Sequence, residues 1–151
     1  MTVTLLIFHG IFAFLLLGAL THQAVTSVWP RKPANQGFIA AYRGVHGHNY
    51  TNAVIVLFII TFILGGYIYI FYRIQVRPPL EALLDLVPIG VFELKEHFVA
   101  IALGMLPAYW YYWKRKPESK MGRVGTTLVL TFAVWSAFVG GHFVNNVRGL
   151  L

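Results

Sequence analysis

The stretch GVHGHNYTNAVIVLFIITFILGGYIYIFY, residues 44–72, decides how the rest of the chain is read. From His48 to Tyr72 it carries no charged side chain, and it exceeds the roughly 20 apolar residues that a helix needs to cross hydrocarbon. His46 and His48 stand at its mouth. An imidazole is costly to bury in a bilayer, so histidines at or inside such a run point to ligand or proton-handling roles.

Outward from this stretch the same signature recurs in both directions. Thr4 to Val28 is apolar, carries His9 and His22, and ends at Trp29-Pro30. A third run starts at Pro88, contains Glu93, Lys95, Glu96 and His97, and closes on the aromatic cluster Tyr109-Trp110-Tyr111-Tyr112-Trp113. Such a cluster is the belt expected at a headgroup boundary. The last run carries Gly140, Gly141 and His142 near its end. The chain is 58% hydrophobic and 11% charged, where soluble domains carry about 25% charged residues.

These features predict one all-α domain over residues 1–151, an integral membrane four-helix bundle with antiparallel up-down connections. The expected spans are 4–28, 48–73, 89–113 and 126–147. The first run lacks a basic leader and a small-residue cleavage site, so it reads as a retained span. Arg31-Lys32-Pro33 forms a basic turn, and 35–43 is expected to be a helix at the interface. Arg77-Pro78-Pro79 is expected to stop the second span. Residues 80–87, LEALLDLV, then form an interfacial helix with Glu81 and Asp85 in water. Pro107 is expected to kink the third span.

Four spans put both termini on one side, here side A. The loops of side B hold Arg31, Lys32, Arg43, Lys114, Arg115, Lys116, Lys120 and Arg123, against Arg73, Arg77 and Arg148 on side A. Basic residues favour the inner face. Both termini are therefore expected outside, in a bacterial cytoplasmic membrane or an organellar inner membrane. The net charge of +7 follows this topology and does not form a nucleic-acid footprint. There are no cysteines, which excludes disulfides, thiolate metal sites and covalent c-type haem. No serine–histidine–acid set, phosphate loop or dinucleotide fingerprint appears.

Depth along a helix follows from a rise of about 1.5 Å per residue. His9, His97 and His142 fall in a layer towards side A; His22, His46 and His48 fall in a layer towards side B. The layers are roughly 20 Å apart. Two imidazole layers in a narrow bundle suit haem b held by paired histidines, one or two haems per chain. His22 with His48 (or His46) would ligate the side B iron, and His97 with His142 the side A iron. Gly18, Gly44, Gly47, Gly104, Gly140 and Gly141 lie near these histidines and leave room for a flat ring. Arg43 or Arg73 would meet propionates at the two interfaces.

On these residues the chain resembles the four-helix membrane cytochromes b, the group that includes superoxide oxidase and the haem-bearing membrane subunits of formate dehydrogenases and hydrogenases. The resemblance rests on His22, His46-Gly47-His48, His97, His142 and the adjacent glycines. It implies electron transfer across the bilayer between the quinone pool and a partner protein, as a subunit of a larger respiratory complex. A quinone site is expected between Arg73 and Val87. One feature departs from the family. Its paired ligands often share a helix about four turns apart, whereas His9 and His22 differ in direction by roughly 220°. His9 is therefore set aside as a ligand and kept, with Glu93 and Glu96, as a proton-transfer candidate. His46 and His48 diverge by roughly 200° if helical, and His48 is preferred because it lies deeper.

Two other readings use the same residues. The histidines with Glu93 and Glu96 would hold copper or non-haem iron. Alternatively, the chain is a structural or pigment-binding subunit of a respiratory or photosynthetic assembly.

Overall fold

A computed structural model describes residues 3–29 and 47–148. Among these residues every regular element is helical: α1 (Val3–Val28), α2 (Gly47–Phe71), α3 (Arg77–Ala82), α4 (Leu86–Lys114) and α5 (Lys120–Arg148). The basic turn, the expected helix over 35–43, Arg43 and His46 lie outside the described residues.

Neighbouring helices run antiparallel, as their contacts show. Gln23 meets Gly47 and His9 meets Gly65 across α1 and α2. Trp113 meets Thr127, and Phe98 meets Phe132, across α4 and α5. Trp135 reaches Thr21 across α5 and α1, and Phe92 stacks on Tyr72 across α4 and α2. Each helix thus touches two others in an up-down square. Helices α1 and α5, with the continuous stretch Gly47–Ala82, are long and apolar enough to cross a membrane. Helix α4 is less apolar, because Glu93, Lys95 and Glu96 precede its apolar centre and the aromatic belt follows it.

The junction after α2 differs from expectation. Arg77-Pro78-Pro79 does not end the helix, and 80–87 is not a separate interfacial helix. Tyr72–Val76 widens into a π-turn, with the Arg77 N–H bonded to the Tyr72 carbonyl. The prolines then occupy the first turn of α3, where a missing N–H costs no helical bond. Together α2, the π-turn and α3 span 36 residues, about 54 Å of helix against a hydrocarbon core of roughly 30 Å. The helix stops at Ala82 by a Schellman pattern: Asp85 N–H bonds the Leu80 carbonyl at 3.0 Å and Leu84 N–H bonds the Glu81 carbonyl at 3.1 Å. This motif needs a left-handed residue after the cap, commonly glycine. Here Leu84 takes it, at φ 56°. Helix α4 starts at Leu86 and continues through Pro107.

Two buried clusters hold the bundle. The larger gathers Leu16, Leu20, Val54, Phe58, Ala102, Leu106, Tyr109, Trp113 and Leu130 towards side B. The smaller gathers Tyr72, Val76, Leu80, Ile89, Phe92 and Val144 at side A.

Candidate functional site

A cavity of about 560 Å³ lies between the two clusters, walled by all four long helices and the π-turn. Leu16, Phe58 and Val134 of the larger cluster bound one end, and Tyr72, Val76, Phe92 and Val144 of the smaller bound the other. Most of the wall is apolar, and the polar exceptions include His9, Thr61, Tyr72, Lys95, Glu96 and His142.

His9 projects from α1 against α2. A Cβ on Gly65 would sit 3.1 Å from its Cε1, so the glycine lets the tip of the ring approach α2 closely. His9 Nδ1, Thr61 Oγ1 and Tyr72 OH are buried without a hydrogen-bond partner. Buried polar atoms are paired in the great majority of cases; Thr51 Oγ1 and Arg123 Nε, away from the cavity, are also without a partner. Tyr72 lies face to face with Phe92, centroids 3.7 Å apart and planes within 7°. The Lys95 ammonium stands 4.2 Å over the same Phe92 ring.

The structure rearranges the expected side A layer. His142 lines the cavity and is itself exposed. His97 is not: it is exposed on the outer side of α4, its Nδ1 donating to the Glu93 carbonyl at 2.7 Å. His9 takes the wall position expected of His97. Glu93 also points away, accepting from Arg77 at 3.2 Å, while Arg77 donates to Glu81 at 2.6 Å. Glu96 is on the wall and pairs loosely with Lys95 at 3.5 Å. Arg73 donates to the Tyr69 hydroxyl at 3.1 Å in an exposed position.

The side B residues are differently placed. His22 is buried, 5.1 Å from the Tyr50 ring. Both nitrogens of His48 are engaged with the end of α4: Nδ1 lies 2.9 Å from the Trp113 carbonyl and Nε2 lies 3.2 Å from Lys114 Nζ. Beside them a buried set ties three helices together. Tyr109 donates to Gln23 at 2.5 Å, and Gln23 donates to the Gly47 carbonyl at 2.9 Å. Trp113 donates to Thr127 at 2.9 Å, joining α4 to α5.

Sequence reasoning passed over Thr61, Gly65 and Tyr72, and it gave Lys95 no role. Gly65-Gly66 in the middle of the most apolar run was the available signal for a close approach.

Chemically, the cavity offers two imidazole nitrogens, an ammonium, a carboxylate and a phenol. No group of three or more histidine, cysteine, aspartate or glutamate side chains able to hold a metal occurs among the described residues. A copper or iron site built from His, Glu93 and Glu96 therefore finds no donor set there. Comparison with protein-family models, with curated proteins and with solved structures returned no match.

Proposed function

We propose that the chain is a four-span membrane cytochrome b whose cavity holds haem b between His9 and His142, passing electrons between membrane quinone and a partner protein. One observation carries the proposal: two imidazoles from different helices line one largely apolar cavity. The residues fit the group. Paired axial ligation needs two imidazoles, which the wall supplies without a third donor. Gly65 seats His9, and Gly141 keeps the wall low beside His142.

Haem b, when bound, supplies a one-electron couple. The chain would supply the two ligands, line the site with Phe58, Phe92 and Val134, and hold Lys95 and Glu96 beside it. His9 replaces His97 in the ligand pair expected from sequence. A second haem towards side B would draw on His22 with His46, since His48 is bonded through both nitrogens. Lipid surrounds the exposed apolar faces of α1, α2 and α5, and partner subunits complete a larger complex.

The test is the reduced-minus-oxidised spectrum of the purified chain, with pyridine-haemochrome content per polypeptide. Sharp b-type bands are expected, with one haem lost in both His9→Ala and His142→Ala. A colourless protein, or an unchanged haem count in both variants, overturns the proposal.

A further inference from the structure

Charge is divided unevenly between the two ends of the chain. Of the five acidic residues, Glu81, Asp85, Glu93 and Glu96 lie around the side A hairpin, and only Glu118 lies at side B. It stands among Lys114, Arg115, Lys116, Lys120 and Arg123, in the turn between α4 and α5. Residues 30–46 contain no acidic side chain either, so one carboxylate is all that this chain can set against these cations. Among the described residues none of the five makes an ion pair. Lys114 is taken up by His48, through the ring and the carbonyl. Lys120 and Arg123 stand in the first turn of α5, which holds no acidic residue; the positive end of the helix adds to their field there.

Aromatic rings hold two of the cations in place. The Arg115 guanidinium lies 5.6 Å from the centre of the Trp110 ring, and that of Arg123 lies 5.1 Å over Trp113. Trp113 donates to Thr127, which donates to the Arg123 carbonyl at 2.7 Å. Lys116 and Lys120 are exposed. Beside them Trp110, Tyr111 and Met121 are exposed too, Met121 at 89%. A patch for a soluble anion needs only the charges. Cations next to exposed aromatic and apolar side chains suit the level where headgroups meet acyl chains.

We infer that the α4–α5 turn binds the headgroup of an anionic phospholipid. Arg115, Lys116 and Lys120 meet the phosphate, and Trp110, Tyr111 and Met121 meet the upper part of the acyl chains. The surface requires that the long helices span a bilayer, and it is independent of what the cavity holds.

The test titrates the delipidated full-length chain, in neutral detergent, with phosphatidylglycerol, with phosphatidylcholine and with inorganic phosphate. Bound lipid per chain and melting temperature are read together. At a membrane surface each basic residue contributes about fivefold in affinity. Wild type should therefore bind phosphatidylglycerol at least about tenfold more tightly than phosphatidylcholine. Lys116→Gln/Lys120→Gln should lose most of that preference while binding phosphatidylcholine as wild type does, which shows that the variant is folded. The double variant spares Arg123, whose stacking on Trp113 belongs to the fold. Equal affinity of wild type for the two lipids overturns the inference, as does a preference that survives in the double variant. Stabilisation by inorganic phosphate equal to that by phosphatidylglycerol overturns it as well, since the patch would then take a free anion and not a lipid.

Discussion

The two ends of this bundle solve opposite problems. Towards side B, Tyr109, Gln23 and the Gly47 carbonyl, and Trp113 with Thr127, are bonded across helices, while Thr51 Oγ1 and Arg123 Nε have no hydrogen-bond partner. Packing there is tight enough that a Cβ on Gly47 would meet Trp113 at 2.8 Å. Towards side A, His9, Thr61 and Tyr72 leave polar atoms unbonded around a cavity. The π-turn at its edge is a device often found at functional sites. Both ends leave buried polar atoms unbonded; they differ in that side A opens into a cavity and side B is closed by cross-helix bonds.

The largest expected effect separates the ends by cofactor content. With haem in the cavity as proposed, His9→Ala and His142→Ala should each remove it almost completely, whereas His48→Ala should leave it in place and loosen α2 from α4. Haem per polypeptide and thermal unfolding of the same samples measure both. If His48→Ala strips the side A haem as fully as His142→Ala, the division between the ends collapses.

The glycines sharpen the comparison. Gly65→Val puts atoms where the His9 ring lies, so haem content should drop several-fold while the rest of the bundle folds. Gly47→Ala should do the reverse. Its Cβ overpacks against Trp113 and Gln23, costing about 1–3 kcal/mol, which lowers the melting temperature and leaves the side A spectrum unchanged.

The helices themselves are legible in the sequence, because uncharged apolar runs of this length have few alternatives. The 1.5 Å rise sets His9 and His142 at similar depth, and both line the same cavity. Direction is harder. A helix's rotation is fixed by what it packs on, so counting from His22 could not say which way His9 points. The same gap explains Lys95. Glu93-Leu94-Lys95-Glu96 reads as one charged entrance, yet Glu93 and Lys95 differ by roughly 200° around α4, and one meets Arg77 while the other enters the cavity. The hairpin apex was misread for a local reason. Pro78-Pro79 is a breaker inside a helix but a permitted start after a widened turn.

Two tyrosines give a smaller effect of opposite sign. Tyr109→Phe removes a buried donor and leaves Gln23 Oε1 unpaired, which should destabilise the chain by about 0.5–2 kcal/mol. Tyr72→Phe removes a hydroxyl that has no partner, so the unliganded protein should be equally or more stable. Thermal melts of the two haem-free variants decide this. A loss in Tyr72→Phe as large as in Tyr109→Phe would show that the Tyr72 hydroxyl is bonded within the fold, and that side A is as closed as side B.

Glu93→Gln carries the smallest expected effect and discriminates between two carboxylates. Glu93 accepts from Arg77 on an exposed face, with its side chain 53% exposed, and exposed ion pairs of this kind contribute little. Its neighbour Glu96, one helical turn closer to the centre, sits on the cavity wall beside Lys95. If a carboxylate exchanges protons with the bound cofactor, geometry selects Glu96. Glu93→Gln should therefore leave the melting temperature and the slope of midpoint potential against pH at wild-type values, whereas Glu96→Gln should flatten that slope. The reverse pattern would mean that proton exchange reaches the site through the Arg77 side of the hairpin, and the cavity would then be coupled to the exposed apex and not to its own wall.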